Sequence, residues 1–102
     1  MTEPPIIERI DADLEELMER FFASSRREVE AMRAALAAQD FVTLARLGHT
    51  AKGTGYGYGF RGMGDIGLAL ESAALADDHT GAASQVERLA HYLASVRVEF
   101  VD

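Results

Sequence analysis

Large apolar residues recur at a three-to-four-residue step through most of this chain, and that spacing commits it to helices. Between Asp11 and Ala38 they fall at Leu14, Leu17, Met18, Phe21, Phe22, Val29, Met32 and Leu36, one helical face without strand alternation. Asp11 is placed to cap the start, and Asp13, Glu15 and Glu16 put negative charge at the positive end of the helix dipole. The stripe thins at Ala23-Ser24-Ser25, so the segment reads equally as one helix or as two sharing a kinked axis. Gln39-Asp40 is a turn with Asp40 capping a second helix, whose inward face is Phe41, Leu44, Leu47, Gly48, Ala51, Gly55 and Tyr58. A third run follows at Met63, Ile66, Leu70 and Ala73. Beyond the polar turn Asp77–Gly81, the residues Val86, Leu89, Leu93, Val96 and Phe100 mark a last helix, started by Thr80 or by Ser84 with Glu87 in a capping box. Helices joined by such short loops prefer antiparallel neighbours. The expected fold is all-α, an antiparallel up-and-down four-helix bundle, its first helix continuous or split. Residues 1–10 are expected as a lead-in and 11–102 as the bundle.

The 102 residues fit one domain, and with 48% apolar residues and two prolines the chain can bury a core. No run approaches the roughly 18 apolar residues of a membrane helix, and Met1-Thr2-Glu3-Pro4-Pro5 is acidic where a signal peptide is basic, so a cytoplasmic location is expected. Without cysteine there is no disulfide, thiolate metal site or cysteine nucleophile. The three histidines form no i, i+3 or i, i+4 pair, so no metal site is expected. A net charge of −7 opposes phosphate contacts and leaves nucleic acid and anionic membrane outside the expected partners.

Seven glycines stand between Gly53 and Gly67, and four within 53–59 would weaken a helix by roughly 2–4 kcal/mol. A phosphate-cradling loop is one use, since Gly57–Gly62 and Gly62–Gly67 both satisfy G-x-G-x-x-G. That fingerprint must follow a buried strand, and the residues upstream of Gly53 are helix-periodic. Close helix packing explains some of the glycines, but not their concentration beside one histidine.

On a helical projection Arg46, His49, Lys52, Gly53 and Tyr56 share a stripe offset from the core. Helical side chains lean toward the N-terminus, so the residue four positions after His49 is the one that would lie over its ring. That residue is Gly53, which covers nothing. Lys52, the only lysine, leans toward the same ring, and Arg46 one turn earlier adds a second positive charge suited to a dianion. His79 and His91 read as ordinary solvated side chains.

The run His49-Thr50-Ala51-Lys52-Gly53-Thr54-Gly55-Tyr56-Gly57-Tyr58-Gly59-Phe60, followed by Leu70-Glu71, resembles the signature of histidine-containing phosphotransfer domains. The pattern is H-x-[hydrophobic]-K-G-[small]-[small]-x-x-[hydrophobic]-G with an acid or amide one helix later. His49, Lys52, Gly53, Thr54, Gly55, Tyr58, Gly59 and Glu71 fall at matching positions, Ala51 is smaller than usual, and Gly57 is additional. The specific match covers 49–71, with a looser fit from about Leu14 to Phe100.

The resemblance implies a phosphoryl carrier, not an enzyme, in which His49 is the phosphoacceptor and Lys52 sits beside the phosphoryl group. It further implies that Gly53 admits the partner, Gly59 lies at a close helix contact, and Glu71 hydrogen-bonds the ring nitrogen that is not phosphorylated. Arg46, Tyr56 and Phe60 are possible partner contacts. The implied partners are receiver domains of hybrid histidine kinases and response regulators, between whose aspartates a monomeric, free-standing protein would pass the group. No cofactor is expected on this chain, with Mg²⁺ on the receiver partner. A non-phosphorylated helical docking or inhibitory module, binding a sensor kinase or response regulator, is the alternative.

Overall fold

The computed structural model describes residues 5–102, and Met1–Pro4, the start of the expected lead-in, lie outside the described residues. Four helices, α1 (Met18–Ala37), α2 (Phe41–Tyr58), α3 (Arg61–Leu75) and α4 (His79–Ser95), form the bundle. Each packs on its neighbour in sequence, and α1 closes the ring against α4. The core holds Phe21, Val29 and Met32 from α1, Leu44 and Ala51 from α2, Met63, Ile66 and Leu70 from α3, and Val86, Leu89 and Leu93 from α4. These are the residues of the three-to-four-residue stripe, buried because that face is the apolar one.

The two-residue corners have a common construction. At the end of α1 the amide of Gln39 donates to Leu36 O and that of Asp40 to Ala35 O, with Gln39 in the left-handed region at φ 54°. The same pair of bonds ends α2 at Gly59-Phe60 and α3 at Asp77-Asp78. Each is a Schellman ending, which satisfies terminal carbonyls and reverses the chain. Asp40 then begins α2 as its cap, accepting from Thr43 N at 3.1 Å, and Asp78 begins α4, accepting from Gly81 N at 2.9 Å. The start of α4 is thus Asp78, and neither Thr80 nor Ser84 caps it.

The first segment is divided, but not where the stripe thins. Asp11 caps a 3₁₀ helix, Ala12–Leu17, by accepting from Asp13 N at 2.8 Å, and this runs directly into α1. Helix α1 is continuous through Ala23–Ser25, where the inward position between Phe21 and Val29 is taken by the small, buried Ser25.

Both ends of the described chain differ from the expectation. The expected lead-in of residues 1–10 contains most of a strand: Ile7–Asp11 forms β1, which pairs in parallel with β2, Arg97–Val101, in the register Ile7↔Arg97 to Asp11↔Val101. The last helix accordingly stops at Ser95, Val96 turns extended at ψ 137°, and Phe100 lies in the strand. Ile10 is wholly buried beneath the pair. Glu8 fastens β1 to the bundle, its Oε2 accepting from Gly62 N at 2.8 Å and from the Tyr92 hydroxyl at 2.5 Å. Burial, reinforced by that carboxylate, pushes the Tyr92 hydroxyl well above the ordinary phenol range. Between α1 and α4, Arg33 holds Glu87 through two hydrogen bonds of 3.0 and 2.9 Å.

Candidate functional site

The site is built on the α2–α3 pair, which glycines bring unusually close. A Cβ at Gly48 would lie 2.8 Å from Glu71 N, and one at Gly55 2.5 Å from Gly64 N; one at Gly67 would collide with Lys52 N. Gly48 thus faces the start of the Glu71 turn while Gly55 faces Gly64, the register of antiparallel helices. Backbones at this separation leave no room for any side chain in between. The glycine run is therefore helical and not a nucleotide loop, and the helix-propensity cost of Gly48, Gly55 and Gly67 is met by the tight contact they permit, while Gly53 and Gly57 make no such contact.

That approach carries Glu71 on α3 up to the outward stripe of α2. His49 Nδ1 and Glu71 Oε2 lie 2.8 Å apart, and Lys52 Nζ donates to Glu71 Oε1 at 3.4 Å. The His49 side chain is 66% exposed, that of Lys52 29% and that of Glu71 19%, so the carboxylate lies beneath the two side chains it joins. Burial would raise the Glu71 pKa, but the hydrogen bonds from His49 and Lys52 and their charges outweigh it and hold the carboxyl below its ordinary value. An ionised carboxylate only accepts hydrogen bonds. In the neutral ring the Nδ1 facing it is therefore the nitrogen that carries hydrogen, and the lone pair falls on Nε2, the tautomer a nucleophilic imidazole requires.

Above the ring the surface is open, since a Cβ built at Gly53 would meet nothing within 4 Å. Arg46 is exposed one turn earlier on the same stripe. Tyr56, one turn beyond Gly53, is exposed but held: its hydroxyl donates to Asp65 Oδ1 at 2.6 Å and its ring lies where a Cβ of Gly64 would be. That hydrogen bond, with burial, raises the Tyr56 pKa.

Two residues stand elsewhere than expected. Phe60 is fully buried and cannot touch a partner. The Schellman ending of α2 turns it inward to stack on Phe21 at 4.6 Å between ring centroids, beside Phe22 and Tyr58. Gly59 is not at a helix–helix contact. It closes α2 at φ 95°, a conformation that L side chains rarely adopt, with Ile10 Cδ1 of β1 3.3 Å from where its Cβ would be. On α2 and α3 three exposed apolar side chains went unforeseen: Leu68 and Leu75, one turn on either side of Glu71, and Val42, two turns before His49; elsewhere Leu17 and Phe100, expected on the apolar face, are also exposed. The signal of the first three in the sequence is apolar character off the core stripe.

Among the described residues no group of three or more His, Asp or Glu side chains is placed to hold a metal ion, and no helix is long and apolar enough to cross a membrane. No curated protein and no solved structure compared with the chain gave a match. A family model described as the Hpt domain matches residues 16–99, a span that takes in all four helices and every residue of the His49–Lys52–Glu71 group. By that match over most of its length, joined to the helical bundle it folds into, the chain belongs to the Hpt domain family.

Proposed function

We propose that His49 receives a phosphoryl group on Nε2 from a phospho-aspartate of one receiver domain and delivers it to an aspartate of another. Membership of the Hpt domain family brings with it a phosphotransfer role in two-component signalling; the residues and the direction of attack are our assignment. The observation that carries it is the engagement of the ring: Nδ1 is held by Glu71 at 2.8 Å on a side chain that is otherwise 66% exposed, and Gly53 one turn on adds no side chain over it. An attacking nitrogen needs a free lone pair and an unobstructed line to phosphorus, and the Nδ1 contact together with the exposure of the ring supports that reading. As Nε2 attacks, the P–N bond forms, the acyl P–O bond breaks and its electron pair returns to the aspartate carboxylate.

In this assignment Glu71 orients the nucleophile, Lys52 and Arg46 provide positive charge toward the dianion, and Gly53 is the landing point. The chain carries the group, and the Mg²⁺ that neutralises the phosphoryl oxygens during transfer is supplied by the receiver. Contacts would centre on the exposed stripe of α2 and extend to Tyr56, Val42, Leu68 and Leu75, a modest surface suited to short-lived docking.

The test is incubation with a phosphorylated receiver domain. Acid-labile, alkali-stable phosphate should appear on the protein and be absent from His49→Gln. Labelling that survives in His49→Gln would place the acceptor elsewhere, and no labelling by any competent receiver would leave a docking module without phosphoryl chemistry.

A further inference from the structure

The carboxylate of Glu71 is divided, one oxygen toward His49 Nδ1 at 2.8 Å and the other toward Lys52 Nζ at 3.4 Å. Orienting a ring needs only one acceptor, and a neutral amide oxygen would serve. A full negative charge beneath the ring does something further once the ring is phosphorylated. Attack through Nε2 while Nδ1 keeps its hydrogen produces an N-phosphoryl imidazolium, a cation. If that Nδ1 proton stays, back-transfer breaks the P–N bond with its electron pair returning to Nε2, and a neutral imidazole leaves. If the proton is lost to water, the same step must expel an imidazolide anion, a far poorer leaving group.

From this geometry, and resting on the assignment of His49 as phosphoacceptor, we infer that the Glu71 carboxylate keeps the Nδ1 proton on the phosphorylated ring and so holds the phosphoryl group in a transferable state, while Lys52 moderates the effect by sharing the charge. An anion at hydrogen-bond distance favours the protonated form of the phosphorylated ring over the deprotonated one. Lys52, bound to the other oxygen, withdraws part of that field. The remaining charged groups around α2 are more distant in connection: Arg46 is exposed one turn before His49, and from α1 Arg20 and Glu28 line the groove against Thr54 and Tyr58 with no hydrogen bond to the ring. The depressed pKa of Glu71 agrees with a carboxylate that remains charged wherever the imidazolium exists.

The two neighbours therefore act on the phosphorylated ring in opposite senses, which a merely structural role would not produce. Phosphoramidate, a small phosphoryl donor for histidine, loads the intact protein without a partner, and ³¹P NMR then follows the phosphohistidine signal as pH is varied. Relative to wild type, the titration midpoint should fall by about one unit or more in Glu71→Gln and rise in Lys52→Met, with helical circular dichroism unchanged. At a pH above both midpoints, a one-unit fall leaves about tenfold less protonated ring and slows transfer to a receiver in proportion. Equal midpoints in wild type and Glu71→Gln would overturn the inference and reduce Glu71 to an orienting group. A midpoint in Lys52→Met at or below that of wild type would overturn the sharing of charge, and this variant carries the test alone should Glu71→Gln not fold. Absence of any phosphohistidine signal from wild type would instead overturn the assignment of His49 itself.

Discussion

Gly53 shows how much of this site depends on what is missing from it. The position is helical, so a side chain there would be tolerated by the backbone, and open, so it would meet no other group of the protein. It would lean over His49. Gly53→Leu should abolish transfer from a phosphorylated receiver while leaving helicity and the thermal midpoint at or slightly above wild type; unchanged transfer would show that partners approach from another side. The carboxylates make a second prediction at this scale. Glu71 is held below its ordinary pKa by His49 and Lys52, Glu87 by Arg33, and Asp40 by the hydroxyl and amide of Thr43. Each binds protons less readily folded than unfolded, so its contribution to stability is complete above the ordinary carboxyl range and is lost as pH falls through its folded value. Urea midpoints measured from about pH 6 down to about pH 2 should decline, most steeply below about pH 4; a flat profile would mean these bonds contribute nothing.

Among the elements, the α2–α3 pair distinguishes glycines that are needed from those that are not. A Cβ at Gly55 would lie 2.5 Å from the backbone of α3, whereas one at Gly57 would meet nothing within 4 Å. Gly55→Ala should therefore destabilise by about 1–3 kcal/mol through overpacking. Gly57→Ala should stabilise by about 0.5 kcal/mol through helix propensity, both read from urea denaturation. Equal effects of the two would contradict the close approach. This contrast was only half visible in the sequence. Glycine density beside His49 signalled a special requirement, and the family pattern pointed to the carboxylate one helix later. Which glycines touch which backbone depends on how α2 and α3 rotate against each other, and periodicity does not specify that rotation. Phe60 was misplaced for a related reason: the pattern marked Gly59 as required, but the requirement is a left-handed helix ending, and such an ending throws the next residue inward.

For the whole molecule, the bundle was legible because its signal is local. Four apolar stripes and the turns at Gln39-Asp40 and Asp77–Gly81 are each contained within a few residues. The β1–β2 pair was not, because parallel pairing joins segments from opposite ends of the chain and carries no hairpin turn to announce it. A trace did exist in the alternation Val96-Arg97-Val98-Glu99-Phe100, which a last helix also accommodated. The pair matters to the site through Glu8 and Ile10, which tie β1 to the start of α3 and to the α2–α3 corner. Ile10→Ala should cost about 2–5 kcal/mol by opening a cavity under the sheet, with a lower thermal midpoint and unaltered transfer below it. The account as a whole turns on one proton and one lone pair. Long-range ¹H–¹⁵N NMR of His49 resolves both: at neutral pH the free protein should show hydrogen on Nδ1, and after transfer from a receiver the phosphorus coupling should appear on Nε2. Hydrogen on Nε2 in the free protein, or phosphorus on Nδ1 after transfer, would contradict it.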